Sequence, residues 1–249
     1  MVINYAHRGA SGYFPENTML SFRKAIELGA TGIETDIQMT SDGVLVLIHD
    51  ENVDRTTNGT GLVKDFRFVD LNKLDAGSWF NDNYNNETIP TVEQLIILAK
   101  ENNILLNLEI KNGEVKYQGI EEKLIEMIYK YNYGDKVILS SFNHYSMVHC
   151  KEICKGIKTG LLYMAGLYHP EAYCKYTGAD ALHPYYISIN KEIIDDAKKE
   201  GLLVNPFTVN SEESMKKLIE AGVSGIITNY PDKLKKILTT FQKESFPLL

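Results

Sequence analysis

The feature that most limits what this chain can fold into is an alternation of short β-rich runs with amphipathic helical stretches, sustained almost end to end. The strand candidates are Val2–Ala6, Gly32–Ile37, Ile104–Ile110, Lys136–Ser141, Gly156–Leu162, Asp180–His183, Leu202–Thr208 and Gly225–Thr228. Helical patterns lie between them, at about 17–29, 91–102, 118–132, 143–154, 169–176, 190–200, 211–221 and 231–241. Asn190 and Ser211 suit N-caps, Pro231 suits a first helical turn, and Gly29, Gly201 and Gly222 close helices just ahead of the next strand. Strand followed by helix, eight times over, is the count of a (β/α)8 TIM-type barrel, an α/β fold that takes residues 1–249 as a single domain. An open doubly wound sheet is the rival. It usually carries a glycine-rich phosphate loop after its first strand, and HRGASGYFPEN lacks the GxGxxG spacing.

One stretch breaks the rhythm. Val44–His49 is strand-like but follows the second strand after only Thr40-Ser41-Asp42-Gly43, too short for a parallel crossover, so it must return as an antiparallel hairpin. A two-residue turn at Ser41-Asp42 sets His49 opposite Glu34; one at Asp42-Gly43 sets it opposite Asp36. Both keep His49 on the face of the two carboxylates, whereas a three-residue loop turns it away. Residues 50–90 are polar and without clear period, and are expected to form a small insertion over the barrel mouth. Within it, Trp79 and Phe80 are expected to pack rather than meet a ligand.

Barrel strands point alternate residues inward, and active sites gather at their C-terminal ends. Glu34 and Asp36 then share the inner face of the second strand, Asn107, Glu109 and Lys111 that of the third barrel strand, and the first strand ends at His7-Arg8. Three carboxylates brought together repel, and burying them unpaired is costly. Arg8 and Lys111 can neutralise two. A hard cation held by oxygens neutralises all three, and a donor set without cysteine favours Mg2+ or Ca2+ over Zn2+. His7 and His49 flank this site, and with an ordinary imidazole pKa of about 6.5 one can be neutral and the other protonated near pH 7. That division suits a phosphodiester. A base activates the nucleophile, an acid protonates the leaving alkoxide, and the metal, Arg8 and Lys111 stabilise charge on the phosphate oxygens.

A net charge of -7 argues against a nucleic-acid binder, which needs a basic face. It does not argue against an anionic substrate, since a bound divalent cation reverses the local field. Cys150, Cys154 and Cys174 are too few for a disulfide framework, and Cys150 and Cys154 are expected to be small buried residues on one helix face. The N-terminal residues show no secretory leader pattern and no apolar run approaches a membrane span, so a cytoplasmic location is expected. His144 and His149 are expected to be solvated on a helix, and His183, at a strand end, to form a wall of the mouth.

The strings AHRGASGYFPENT, GIETDIQMTSDGVLVLIHD, NLEIK, SSF, PFTVN and GIITNYPD, in that order, resemble the glycerophosphodiester phosphodiesterase family over nearly the whole chain. The HRG…PENT pair with E-x-D…H-D is the specific part. The resemblance implies a TIM barrel with a small insertion, and hydrolysis of small-molecule glycerophosphodiesters to glycerol 3-phosphate and an alcohol. Position by position, it implies catalytic histidines at His7 and His49, metal-binding acids at Glu34, Asp36 and Glu109, and phosphate-contacting cations at Arg8 and Lys111. Phe207 stands where Trp is frequent and is expected to line the substrate pocket; Asn229 stands where Asp is frequent. Neither is expected to touch the core constellation. Asn17, in PENT, is open between capping a helix and supporting the site. Two rivals differ in kind. One is a lysophospholipase D-type phosphodiesterase on the same scaffold, with Leu161, Leu162, Tyr163, Met164 and Leu167 near an acyl groove. The other is a non-catalytic binding barrel, which the presence of every charged site position disfavours.

Overall fold

The computed structural model describes residues 2–245. Its elements alternate as β1 (Ile3–His7), α1 (Met19–Glu27), β2 (Gly32–Met39), β3 (Leu45–Leu47), α2 (Phe68–Leu71), α3 (Val92–Asn102), β4 (Leu105–Ile110), α4 (Ile120–Lys130) and β5 (Val137–Ser141). They continue as α5 (His144–Ile153), β6 (Lys158–Tyr163), α6 (Pro170–Thr177), β7 (Ala181–Pro184), α7 (Lys191–Lys199), β8 (Leu203–Val204), α8 (Glu212–Ala221), β9 (Gly225–Thr228) and α9 (Pro231–Ser245). All strands except β3 run parallel, in the order β8-β7-β6-β5-β4-β2-β1-β9. Ser224 N–H to Val204 O at 2.9 Å and Ile227 N–H to Pro206 O at 3.0 Å bridge β8 to the start and middle of β9. The result is a nearly closed eight-stranded TIM barrel. β8 is shorter than the expected Leu202–Thr208 because Pro184 of β7 has no N–H to give to Asn205 O; the pairing resumes only where Phe207 N–H donates to Pro184 O at 3.0 Å.

Local signals act as their chemistry dictates. Asn190 accepts from Ile193 N–H and Ser211 from Ser214 N–H. Gly29, Gly201 and Gly222 take positive φ angles that close their helices. Between sheet and helices lies the main apolar core, with Ile33, Ile37, Leu106, Leu108 and Leu139 facing outward from the strands against Leu95, Ile120, Leu124 and Met147.

The barrel interior is filled by side chains that depend on glycines for room. Tyr5 sits beside Gly32 and Gly225, where an added Cβ would lie 2.4 and 2.9 Å from its ring. His183 takes the space beside Gly160, where a Cβ would lie 2.6 Å from Nε2. His183 is fully buried, 3.1 Å from the Asn205 amide, and burial pushes its pKa down to about 3. It is neutral barrel filling rather than the mouth wall expected from its place near a strand end, because strand alternation turns it inward. Gly160→Ala is expected to lower the unfolding free energy by about 1–3 kcal/mol through overpacking. The sign would be a lower denaturant midpoint at unchanged m; an unchanged midpoint would show that His183 can yield.

The β2–β3 hairpin pairs Ile37 with Leu47, Gln38 with Val46 and Met39 with Leu45. That register centres the turn on Asp42, with Gly43 at φ 79°. It belongs to the odd-numbered loop expected to turn His49 away, not to either two-residue turn. His49 reaches the site regardless, because β3 ends at Leu47 and alternation no longer governs the residues beyond it. Gln38 Nε2–H donates to His49 O and Ile48 N–H to Asp36 O, both at 3.1 Å, and these bonds hold the bend against β2.

Residues 50–90 pack on β3 around their own apolar cluster, which joins Val46 and Ile48 to Val53, Val63, Leu71, Ala76 and Ile89. Trp79 donates from Nε1 to Ala76 O at 3.0 Å and packs edge-on against Phe80 within the same segment. No helix among the described residues is long and apolar enough to cross a membrane.

Candidate active site

At the C-terminal ends of β1, β2 and β4 the parallel registers set His7 beside Glu34 and Asp36 beside Glu109. Glu34, Asp36 and Glu109 are all buried, and each offers an oxygen within 4.8 Å of the others'. Lys111 Nζ lies 2.5 Å from Glu109 Oε1 and 3.1 Å from Asp36 Oδ1. Arg8 Nε lies 3.2 Å from Asp36 Oδ2, and its backbone N–H donates to Glu34 Oε2 at 3.2 Å. Arg8 adopts φ 55°, a left-handed conformation that costs it about 1–2 kcal/mol, and Asn17 adopts φ 56°, which an asparagine tolerates better. The strain serves the site. Asn17 N–H donates to Arg8 O at 3.0 Å, locking the turn that aims Arg8 at the carboxylates.

The electrostatics are unbalanced. Burial, then the charges of Asp36 and Glu109, push Glu34 well above the usual carboxylate range. Glu109 is also raised, by burial above all, although Lys111 opposes it. Burial would raise Asp36 too, but Lys111, Arg8 and His49 outweigh it and hold this carboxylate far below the usual range. Three buried carboxylates thus face two cations, with Arg8 shared by Glu16 at 2.9 Å. Asp36 Oδ1 is buried without an aligned hydrogen bond. Two oxygens on one hard cation lie at most ~4–5 Å apart, so these donors fit Mg2+ or Ca2+ by chemistry and spacing.

The histidines have different partners. His7 donates from Nδ1 to Asn229 Oδ1 at 2.7 Å, leaving Nε2 on the carboxylate side, 3.9 Å from Glu34 Oε2. Burial, then Arg8, push its pKa down to about 4. Asn229 was expected to lie outside the constellation, and the structure corrects this. The loop after β9 closes beside the start of the chain, which brings together residues 222 positions apart. His49 donates from Nδ1 to Asp50 Oδ1 at 2.6 Å. Burial opposes ionisation of Asp50, but the hydrogen bonds from Arg55 and His49 prevail and hold it near a pKa of about 2.

Asn17 supports the site rather than capping α1. Its amide donates to Asp36 Oδ2 at 3.0 Å and its oxygen accepts from Thr35 at 2.7 Å, while Thr18 is the N-cap. Phe207 follows β8 and meets Phe142 and Tyr185 edge-on or tilted at 5.8 and 6.4 Å, forming an aromatic rim on the β5–β8 side of the barrel. A cleft of about 290 Å³ joins that rim to the site, lined by Phe142, His49, Glu109 and Lys111. A wider groove of about 580 Å³ along Tyr117, Glu122 and His149 contains none of the converging groups. Leu161, Leu162 and Tyr163 are buried in β6, so of the suggested acyl groove only Met164 is exposed, with Leu167 partly buried against the core. His144 is anchored to Leu162 O at 2.8 Å rather than simply solvated, whereas His149, with its side chain 45% exposed and paired with Glu122 at 2.9 Å, lies at the surface as expected. Cys150 is buried, but Cys154 lies past the end of α5 and contacts the Tyr129 hydroxyl at 3.0 Å. Glu16 and Asp50 entered the sequence reasoning only as letters of the PENT and H-D strings, with no role of their own, and Arg55 carried no signal.

Comparison with known proteins agrees with this geometry. The model of the glycerophosphoryl diester phosphodiesterase family matches residues 7–233. A Caldanaerobacter subterraneus subsp. tengcongensis protein named glycerophosphodiester phosphodiesterase is 49% identical over 92% of this chain and 94% of its own. A Bacillus subtilis protein of the same name is 38% identical over 95% and 86%. The structure of an Oleispira antarctica phosphodiesterase in complex with the product sn-glycerol-3-phosphate superposes with a TM-score of 0.87 at 31% identity, covering 94% of this chain and 96% of that one. With the barrel, the acidic cluster and these relatives in agreement, the chain belongs to the glycerophosphoryl diester phosphodiesterase family.

Proposed function

We propose that the protein hydrolyses glycerophosphodiesters to glycerol 3-phosphate and an alcohol, in a reaction dependent on Mg2+ or Ca2+. The observation that carries this reading is the convergence of Glu34, Asp36 and Glu109 between two cations and two differently partnered histidines. Glu34, Asp36 and Glu109 would hold the metal, which would supply positive charge to the phosphate as negative charge develops there. Arg8 and Lys111, kept charged by their carboxylates, bind the remaining phosphate oxygens.

His7 is the general base. Its Nδ1 proton is committed to a neutral amide and its ring is neutral near pH 7, so the Nε2 lone pair takes the nucleophile's proton. His49 is the general acid. Its Nδ1–H is held by an ionised carboxylate, so Nε2 is the atom that returns a proton to the leaving alkoxide. The nucleophile is water or the substrate's glycerol 2-hydroxyl, and phosphorus NMR in 18O-water separates them, since a transient cyclic phosphate excludes water as the only route. Phe207 and Phe142 line the side of the pocket that receives the alcohol.

The test is release of glycerol 3-phosphate from glycerophosphocholine and glycerophosphoethanolamine in the presence of Mg2+ or Ca2+. Release from either supports the reading. No release under any metal, together with cleavage of lysophosphatidylcholine, transfers the site to lysophospholipids, a substrate for which half-exposed Phe142 and Met164 offer apolar contact. Asn229→Asp puts a carboxylate on His7 and is expected to raise its pKa above about 4, moving the acid limb of kcat/KM to higher pH. An unmoved acid limb would take the base role away from His7.

A further inference from the structure

Arg55 belongs to the segment after β3 and touches neither the acidic cluster nor an imidazole. Its guanidinium makes four hydrogen bonds to two carboxylates. Nε and Nη2 donate to Asp50 at 2.7 and 3.1 Å, and Nη1 and Nη2 donate to Glu16 at 3.1 and 2.8 Å. Each carboxylate in turn holds a different functional side chain. Glu16 accepts from Arg8 Nη1 at 2.9 Å, and Asp50 accepts from His49 Nδ1 at 2.6 Å. Glu16 comes from the β1–α1 loop and Asp50 from the chain beyond the hairpin, so without a shared cation two like charges face each other across separate segments. A planar fork with five donors can grip both; an ammonium cannot reproduce that geometry.

We propose that Arg55 is a positioning residue that fixes Arg8 and His49 relative to one another by clasping Glu16 and Asp50. Phosphate contact and proton delivery are then aligned by one side chain that meets neither phosphate nor leaving group. The Arg55 side chain is 43% exposed, and ion pairs this open contribute little to stability. The consequence of losing it is therefore misorientation rather than unfolding. Fixing the ring also fixes its tautomer, because Asp50 can accept only while His49 carries its neutral-state proton on Nδ1.

The kinetic part of this proposal rests on the phosphodiesterase reading above; the structural part does not. The full-length protein with Mg2+ would be compared with Arg55→Ala and Arg55→Lys in two measurements. Against glycerophosphocholine, kcat/KM is expected to fall ~10–100-fold in both variants, the range seen when outer partners of a site are removed. Millimolar guanidinium should partly restore Arg55→Ala, and methylammonium should not. In nitrogen-15 NMR read at a pH high enough for the imidazoles to be neutral, His49 is expected to carry its single proton on Nδ1 in the wild type and to shift toward the Nε2–H tautomer in both variants. An unchanged His49 tautomer, or kcat/KM within about threefold of wild type, would overturn the proposal. If Arg55→Ala does not fold, Arg55→Lys decides on the same two readouts. A wild type that releases no product defeats the phosphodiesterase reading alone, and the imidazole shifts still decide the role of Arg55.

Discussion

Chelation with EDTA is expected to reduce glycerol 3-phosphate release by at least ~1,000-fold, and Mg2+ or Ca2+ to restore it, because several kcal/mol of transition-state charge stabilisation leave with the ion. Glu34→Ala is not expected to recover under either metal. Binding should also appear without turnover. A cation that binds only the folded state at 100 times its Kd adds about 2.7 kcal/mol of stability. The pH dependence of that increment follows from the carboxylates. Glu34 and Glu109 are raised above their unfolded values, so in metal-free protein they hold protons that the unfolded chain has already released. Metal must displace those protons, and its stabilisation therefore grows as pH rises from about 4.3 through their folded values. His7 and His183, depressed by burial, add stability as pH rises toward about 6.5 with or without metal. They largely cancel in the difference between the two scans. A larger Mg2+-induced rise in Tm at pH 7.5 than at pH 5 is the expected result. An increment independent of pH would remove the carboxylates from the metal site.

His7→Ala and His49→Ala are each expected to lose at least ~100-fold in kcat, the scale of general acid–base contributions. The assignment of roles makes a sharper demand. A p-nitrophenyl diester has a leaving group that departs without protonation, so the defect of His49→Ala should shrink toward wild type on that substrate. The defect of His7→Ala should persist, since the nucleophile must still be deprotonated. The reverse pattern would exchange the two roles. Equal defects on both substrates would mean that neither imidazole protonates the leaving group in the rate-limiting step.

The sequence and the structure carry different parts of this site. Glu34, Asp36, Glu109 and Lys111 were legible because a period of two along β2 and β4 places them on one face, and parallel strands in register bring those faces together. His7 and Arg8 were legible as residues at the end of a strand. His49 was reached by an argument whose register is not the one observed; it arrives through a bend beyond β3, a feature that alternation cannot describe. Asn17 was open between two roles, and only its contacts with Asp36 and Thr35 decide.

What the sequence by itself determined is therefore the periodic part: the order of elements, the caps, and the inward residues of regular strands, all set by interactions within a few residues. Only the tertiary structure decided the partners of the histidines. Closure of the barrel brings Asn229 to His7 from the far end of the chain, and the irregular segment after β3 brings Arg55 to Glu16 and Asp50. Such contacts depend on how loops of no fixed period leave the barrel, and the hydrophobic pattern that dictates the strands places no constraint on them.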